Sequence, residues 1–299
     1  MPIVRSSLAN DNANWPTGRY TAELLNLMDS DDRLIIDGTW FDLPGLTLSS
    51  LISDSSSEQI HVITAYDPPP WEDEVPVHNR VHAYHINAYW LFYCQKHLQR
   101  HKHIPTEFDN NFLCYMRKPR EERKFLYALL NGHDGLVTIG TKKYEFNDTI
   151  DKSEHNATII TDSVNVSNDV VTLGNIDIWN SSFLNIVAET VHCRKFVTEK
   201  TFKPILGYRP FLIYGNPDIN TMLEDWGFEL FNHDFGFNPD DDYEGQAHQL
   251  NNIVSGLSNT NCVELFNALL PKIEHNYSQY DDIVNTQWHK FTQDIKNFK

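Results

Sequence analysis

The chain has 299 residues, of which 40% are hydrophobic and 12% aromatic, enough for one large folded domain or two of ordinary size. Its formal net charge of -17 argues against a protein that coats duplex DNA, since phosphate neutralisation needs clustered Lys and Arg. Four widely spaced cysteines without a CxxC pair favour reduced thiols over a disulfide framework or a zinc site. No segment approaches the ~20 apolar residues of a membrane span, and the N-terminus carries no apolar signal region, so we expect a cytoplasmic protein.

The first part of the chain predicts a small α/β unit over residues 1–108. LIIDGTW (34–40) and IHVITAYD (60–67) are short apolar runs that end in acidic or turn residues, as buried parallel strands do. A proline-rich acidic loop (67–76) follows, and then an apolar helix is predicted over 85–101.

A second α/β series is predicted over residues 109–299. Apolar runs predict strands at 111–116, 135–140, 157–161, 181–190 and 228–232, and the chain then becomes helical to its C-terminus. A helix is expected over 119–132, with Pro119 at its start and Gly132 past its end. Alternating strands and helices imply mostly parallel sheets, whose ligands bind at the carboxyl ends of the strands. The predicted fold class is therefore α/β, with two Rossmann-like units facing a cleft and a helical C-terminal segment.

The segment MRKPREERK (116–124) concentrates basic residues where a strand passes into a helix. A helix N-terminus disfavours cations, so Arg117, Arg120 and Arg123 make electrostatic sense there if they share an anion such as phosphate with the backbone. The alternative is a solvated helix on which Glu121 and Glu122 pair with these arginines.

The segment FVTEKTFKPILG (196–207) favours the anion-binding interpretation over the solvated helix. Thr201 is the expected helix cap, because it places Pro204 in the first turn, where its missing N–H costs nothing. A cap at Thr198 would instead delete a helical hydrogen bond. With Thr201 as the cap, Glu199 and Lys200 would lie on the loop before the helix.

The chemistry of this cluster suits an anionic ligand that carries hydroxyl groups. Glu199 can accept hydrogen bonds from the two hydroxyls of a ribose, and Lys200 can place a positive charge on a diphosphate, with Thr198 and Lys203 beside them. The alternative is a surface salt bridge, worth about 0–1 kcal/mol.

These residues resemble a known donor site. Thr198-Glu199-Lys200, preceded by FLNIVAET (183–190) and followed by PFLIYG (210–215), resembles the donor region of α-1,3-fucosyltransferases. The longer pattern TEKTFKPI…PFLIYGNP…LEDWGFELF, with FLCYMRKPREER upstream, is similar to bacteriophage-encoded glycosyltransferases. The resemblance covers residues from about 112 to the C-terminus.

The resemblance implies a GT-B glycosyltransferase, hexosyl- or fucosyltransferase-like, whose C-terminal domain holds a nucleoside diphosphate sugar without a metal or other cofactor. Glu199 would bind the ribose, Lys200 the phosphates, and one of Arg117, Arg120 and Arg123 would join Lys200, with Arg123 favoured. Glu189 matches an upstream glutamate that orders the donor pocket. Lys203-Pro204 replaces the Asp-Ala or Asn-Ala usual in fucosyltransferases, which leaves the sugar open.

A catalytic base is expected from the N-terminal unit, which we predict to be the acceptor side. Inverting transfer needs a carboxylate that deprotonates the acceptor hydroxyl, and Asp67 ends a predicted strand where such a group is required. Asp37, Glu72 and Asp73 are alternatives. The run Asp240-Asp241-Asp242 resembles a metal-binding DxD, but it sits in a proline-flanked loop and we predict a solvated loop there.

Three functions stay open at this stage. The favoured one is a cytoplasmic glycosyltransferase, acting in an infected bacterial host on an unknown acceptor that is a glycan, a protein or modified nucleic acid. The second is a nucleotide-binding module without turnover. The third is a phage structural or interaction protein with a transferase-like fold.

Overall fold

A computed structural model of the chain describes residues 3–5, 33–37, 59–64, 81–85, 88–116, 119–139 and 172–297. The chain forms two compact units. One comprises residues 1–92, 194–196 and 284–299, and the other residues 93–193 and 197–283. The predicted boundary near residue 108, and the cleft expected between two facing units, stay predictions.

The sheet of the first unit is parallel throughout its described strands. Its order is β1 (Ile3–Arg5), β2 (Arg33–Asp37), β3 (Gln59–Thr64) and β4 (Val81–His85). The predictions of strands within 34–40 and 60–67 are confirmed. Strand β4 was not predicted, because VHAYH is not an unbroken apolar run like the other strands. Its last residue, His85, was assigned to the helix predicted over 85–101. That helix, α1, spans Tyr89–His97.

The second unit is built on another parallel sheet, whose strand order places a topological switch point at its centre. Its strands are β5 (Asn110–Tyr115), β6 (Leu136–Thr138), β7 (Ser182–Ala188) and β8 (Phe211–Tyr214), in the order β6-β5-β7-β8. The chain therefore moves outward in one direction from β5 to β6, and in the other from β7 to β8. Open α/β sheets bind ligands outside the carboxyl ends of the two strands at such a point.

Helices connect and follow these strands. They are α2 (Glu121–Leu130), α3 (Ile176–Asn180), α4 (Glu199–Leu206), α5 (Asp218–Trp226), α6 (Asn232–Phe235), α7 (Tyr243–Leu257) and α8 (Cys262–Asn297). Helix α2 buries a stripe at helical spacing, formed by Arg123, Leu126, Tyr127 and Leu130. Gly132 follows it with φ 99°, a left-handed conformation that glycine adopts without steric cost. The predicted helix at 119–132 is thus confirmed, with bounds two residues shorter at each end.

Strand β7 forms the centre of the core. Every residue of β7 and β8 is buried, which is why both read as unbroken apolar runs in the sequence. Cys94 and Cys114 are fully buried, and burial raises the pKa of the Cys114 thiol to about 12. Within the described residues, no helix combines the length and apolar character that a bilayer crossing requires.

The strand predicted at 228–232 is wrong, and the segment is irregular before it enters α6. Phe228, Leu230 and Phe231 are buried like the residues of a strand. The backbone of Glu229, however, forms its hydrogen bonds with a side chain and not with a neighbouring strand. Asn276 of α8 accepts from the N–H of Glu229 and donates to its carbonyl oxygen, both at 2.8 Å. A buried amide thus replaces the neighbouring strand. The strand predicted at 157–161 lies outside the described residues.

We expect Asn276→Ala to lower the free energy of unfolding by about 1–3 kcal/mol, because it leaves the N–H and carbonyl of Glu229 without their amide partner. Asn276 is 2% exposed, so water cannot readily replace its side chain. Chemical denaturation measures the change. The control is Asn252→Ala, which removes an exposed asparagine from α7 and should change stability little. Equal effects of the two substitutions would contradict the role assigned to Asn276.

Candidate functional site

The carboxyl end of β7 carries a buried carboxylate that organises the local structure. Glu189 is 1% exposed and follows the last residue of the strand. One of its oxygens accepts from the Thr198 N–H at 3.0 Å and from the Thr201 hydroxyl at 2.7 Å. The other accepts from the Thr198 hydroxyl at 2.7 Å and from the Thr190 N–H at 3.2 Å. Both oxygens of the carboxylate therefore face one backbone N–H and one hydroxyl.

The start of α4 differs from the prediction. Thr198, not Thr201, is the N-cap: its side-chain oxygen accepts from the Lys200 N–H, and the helix begins at Glu199. Glu199 and Lys200 consequently lie in the first turn of the helix rather than on the preceding loop. Pro204 lies inside the helix, where it removes one backbone hydrogen bond.

The long-range contacts of Glu189 explain why the cap lies at Thr198. A proline in a helix interior costs about 3 kcal/mol, which favours the later cap when only local sequence is considered. The earlier cap gains the hydrogen bonds from Thr198 and Thr201 to Glu189, and α4 buries Phe202, Ile205 and Leu206 against the core. The buried hydrogen bonds and apolar surface together offset the cost of Pro204.

Lys200 turns back over the helix start. Its ammonium donates to the Thr198 hydroxyl at 2.8 Å and to the Thr190 hydroxyl at 3.3 Å, and lies 3.4 Å from the Glu199 carboxylate. The side chains of Lys200 and Glu199 are 21% and 12% exposed. Burial tends to raise the pKa of Glu199, but Lys200 and Lys203 outweigh it and the net shift is downward. The site therefore presents a carboxylate and an ammonium side by side.

Arg123, the arginine favoured for phosphate binding, is almost fully buried. It is 3% exposed, and its Nη2 donates to the carbonyl oxygens of Ala188 and Glu189, both at 2.9 Å. Burial lowers the pKa of Arg123, Glu189 and Glu199 raise it, and Arg120 lowers it. Glu189, whose carbonyl oxygen Arg123 contacts, also accepts hydrogen bonds from Thr198 and Thr201 at the start of α4. The structure thus brings the start of α2 and the start of α4 together at the carboxyl ends of β5 and β7.

The remaining predicted residues fall into two groups. Arg120 immediately precedes α2 and is partly exposed, and Lys203 lies one turn along α4. Arg117, Asp67, Glu72 and Asp73 lie outside the described residues, and Asp37 is described only as the last residue of β2. The binding roles assigned to all of these residues stay predictions.

Two carboxylates of the acidic run at 240–242 make hydrogen bonds within their own loop and with the start of α7. Asp242 is the N-cap of α7 and accepts from the Gly245 N–H at 2.8 Å. Asp241 accepts from the side-chain amide of Asn238 at 3.0 Å. The two carboxylates therefore have a local structural role in this loop.

His192 is a site residue that the sequence analysis missed. It follows Glu189 by three residues, and its ring packs edge-on against Tyr214, with centroids 4.3 Å apart, and faces Tyr243 at 6.1 Å. Burial lowers the pKa of His192 to about 4, with Glu122 opposing and Arg123 reinforcing the shift. The ring is therefore neutral at physiological pH. The one sequence feature that could have drawn attention to His192 is its position just beyond the end of the strand predicted over 181–190.

Several solved structures overlap with this chain in fold. No protein-family model matches the chain, and no curated protein matches it. A mutant of T4 phage BGT in complex with UDP-glucose overlaps with a TM-score of 0.49 at 10% sequence identity, over 89% of this chain and 73% of that one. The DNA-modifying enzyme beta-glucosyltransferase, solved in the presence and absence of uridine diphosphoglucose, overlaps with a TM-score of 0.43 at 14% identity, over 91% and 83%. Overlaps with TM-scores below 0.5 and such low identity do not establish a function for this chain, which must be inferred from the chemistry of its own site.

We expect Glu189→Gln to lower the free energy of unfolding by about 1–3 kcal/mol. Each carboxylate oxygen accepts from a backbone N–H, and an N–H cannot reverse its direction. Either orientation of a glutamine amide therefore sets its NH2 group against a backbone donor. Urea denaturation at neutral pH measures the loss.

The matched control for this prediction is Glu224→Gln, which makes the same chemical change at an exposed position of α5. Its free energy of unfolding should stay within about 0.5 kcal/mol of wild type. If the Glu189 and Glu224 variants were equally stable, the buried carboxylate would not be needed to hold the start of α4.

His192 should make stability depend on pH. Its folded-state pKa lies below the ordinary value of 6.5, so the neutral ring stabilises the fold fully above that value and loses this contribution as the pH falls towards 4. Between neutral pH and a pH of about 4.5, wild type should lose about 2 kcal/mol more stability than His192→Phe, which keeps a ring beside Tyr214. Denaturation curves at both pH values test this, and parallel declines would contradict it.

Proposed function

We propose that the protein is a glycosyltransferase and that the carboxyl end of the second unit's sheet binds a nucleoside diphosphate sugar. The observation that carries this proposal is the convergence of two separate charged segments. The start of α2 and the start of α4 meet at the end of β7, because Arg123 and Thr198 both bond to Glu189. Strands β5 and β7 are those at the topological switch point, where open α/β sheets bind ligands.

The diphosphate is held by cations and helix N-termini. Lys200 lies in the first turn of α4 with part of its side chain exposed, so its ammonium can move to a ligand at that helix end. Arg120, at the start of α2, supplies a second positive charge. In this proposal these groups neutralise the diphosphate without a metal ion. Arg123 contributes by fixing the carbonyl groups at the end of β7.

The ribose binds Glu199. Lys200 and Lys203 keep the pKa of this carboxyl below its usual range despite burial, so Glu199 is ionised and accepts hydrogen bonds from neighbouring hydroxyls. A carboxylate beside an ammonium suits a ligand that presents a diol next to a diphosphate. Free phosphate or a simple carboxylate would use only the lysine.

The proposed reaction transfers the glycosyl group of the donor through its anomeric carbon. The bond between that carbon and the diphosphate oxygen breaks, and a bond to the acceptor oxygen forms. The nucleoside diphosphate leaves with the bonding electron pair, and a carboxylate base takes the proton of the acceptor hydroxyl. Asp67, with the N-terminal unit as the acceptor side, is our candidate for that base. The acceptor is a glycan, a protein or modified nucleic acid.

The binding test is calorimetric titration with GDP, UDP, ADP, CDP and dTDP. We expect one of them to bind, and Lys200→Ala to weaken its affinity by about 10-fold to 100-fold, as the loss of a charged hydrogen bond does. Glu199→Gln should weaken nucleotide binding without weakening the binding of inorganic pyrophosphate, because it removes the ribose partner together with the negative charge that partly neutralises Lys200. Turnover is then followed as release of the nucleoside diphosphate from the matching sugar donor.

The control is Lys272→Ala, which removes a partly exposed lysine that is also ion-paired, with Asp234 at 2.7 Å. Its nucleotide affinity should equal that of wild type. If no diphosphate in the panel bound, the donor site would be refuted. Tight nucleotide binding without cleavage of the sugar donor would contradict the glycosyltransferase hypothesis and favour a nucleotide-binding module without turnover.

A further inference from the structure

We infer that Glu189 is a positioning residue of the donor site, which acts through the Thr198 hydroxyl to hold the Lys200 ammonium at the start of α4. This inference rests on the proposed function for the identity of the ligand. The hydrogen-bonded chain itself, from Lys200 through Thr198 to Glu189, consists of contacts of 2.8 and 2.7 Å.

The direction of the hydrogen bonds is fixed by chemistry. An ionised carboxylate has no proton to donate, so the 2.7 Å contact between Thr198 and Glu189 uses the single hydroxyl proton of the threonine. The lone pairs of the Thr198 oxygen are then left to accept, and an ammonium can only donate. Lys200 satisfies them with its Nζ at 2.8 Å and its backbone N–H at 3.4 Å. The buried charge of Glu189 thereby orients the hydroxyl that holds Lys200.

The three contacts of the ammonium differ in length. The contact to Thr198 is short, whereas those to Thr190 and Glu199 are 3.3 and 3.4 Å. Three acceptors match the three N–H bonds of a lysine. A diphosphate oxygen can replace the two longer contacts while the short one persists as a pivot. Lys200 is therefore held ready at the helix end before the ligand arrives, which lowers the entropy cost of binding.

Thr201 provides an internal comparison. Its hydroxyl donates to the other oxygen of Glu189 at the same distance, 2.7 Å, and the residue is fully buried. Its hydroxyl and its backbone N–H donate to Glu189 and to the Thr198 carbonyl oxygen, and neither forms a hydrogen bond with Lys200. Both threonines thus tie α4 to the carboxylate, but Thr198 is the one in contact with the ammonium. Thr198→Val and Thr201→Val each remove one hydrogen bond between α4 and Glu189, but only Thr198→Val also removes a contact with Lys200. Comparison of the two variants therefore separates the positioning of Lys200 from the anchoring of the helix.

The first experiment uses the ligand-free protein. Acetic anhydride labels each lysine amine, and mass spectrometry gives the rate at Lys200 relative to Lys290, an exposed lysine of α8. We expect Thr198→Val to raise the relative rate about tenfold, the equivalent of one hydrogen bond to a charged group, and Thr201→Val to leave it near the wild-type value. Thr198→Ser, which keeps the hydroxyl, should restore the slow rate.

Hydrogen exchange of the α4 amides distinguishes positioning from fraying of the helix. Equal labelling of Lys200 in the Thr198→Val and Thr201→Val variants would overturn the inference. It would also be overturned if labelling and amide exchange rose together in the Thr198→Val variant, since loss of the cap would then explain both. Faster labelling with unchanged exchange would support it.

The second experiment measures affinity for the nucleoside diphosphate that wild type binds. Thr198→Val should weaken it about tenfold and Thr201→Val much less, with Thr198→Ser close to wild type. If no nucleotide binds wild type, the proposed function fails while the labelling result still decides whether Thr198 positions Lys200. If nucleotide binds and both valine variants bind it equally well, the positioning role fails while the donor site stands.

Discussion

The site depends on one buried negative charge at the end of the central strand. Glu189 receives two backbone N–H groups and two hydroxyls, and these bonds determine where α4 begins. A carboxylate 1% exposed to solvent is costly to bury unless such donors surround it, so its environment and the helix start are mutually dependent. The positions of the neighbouring charged residues Glu199 and Lys200 follow from where α4 begins. Glu199 and Lys200 lie in the first turn because Thr198 caps the helix. Lys200 contacts the Thr198 oxygen because the hydroxyl proton is directed to Glu189.

Two buried arginines hold β7 at its opposite ends. At the carboxyl end, Arg123 donates to the carbonyl oxygens of Ala188 and Glu189. At the start of the strand, Arg209 donates to the carbonyl oxygen of Ser182 and to that of Asn180. The cost of burying Arg209 appears in its pKa, which burial lowers to about 10. Both guanidinium groups donate to backbone carbonyl oxygens at or next to the strand ends, and the planar fork of arginine suits that task. The strand that carries Glu189 is therefore fixed before any ligand is considered.

The sequence predicted the elements whose signals are local, and it failed where distant side chains decide. Parallel strands such as β7 and β8 are buried on both faces, so their apolar runs identify them without knowledge of their neighbours. The cap at Thr198 was missed because the cost of Pro204 is visible locally, whereas the compensating bonds to Glu189 need the folded strand end. The strand predicted at 228–232 failed for a related reason, since Asn276, far along the chain, supplies the hydrogen bonds that a neighbouring strand would have made. The resemblance assigned the Arg-rich segment and the Thr-Glu-Lys segment to one donor site, and their binding roles stay predictions. The neutral state of His192 was not predicted, because the burial that lowers its pKa cannot be read from a sequence motif.

The overall charge of the protein constrains how such a site attracts an anion. A formal net charge of -17 repels a diphosphate at long range, and physiological salt screens that repulsion beyond about 8 Å. Lys200 is also partly neutralised by Glu199, 3.4 Å away. Attraction must therefore arise at short range, from hydrogen bonds that form only when the ligand is in place. An ammonium already held by Thr198 suits this regime, because binding of the proposed diphosphate would require little further ordering of the side chain. In a strongly acidic protein, precise placement of a few cations thus substitutes for a broad positive field, and the buried carboxylate of Glu189 is what makes that placement possible.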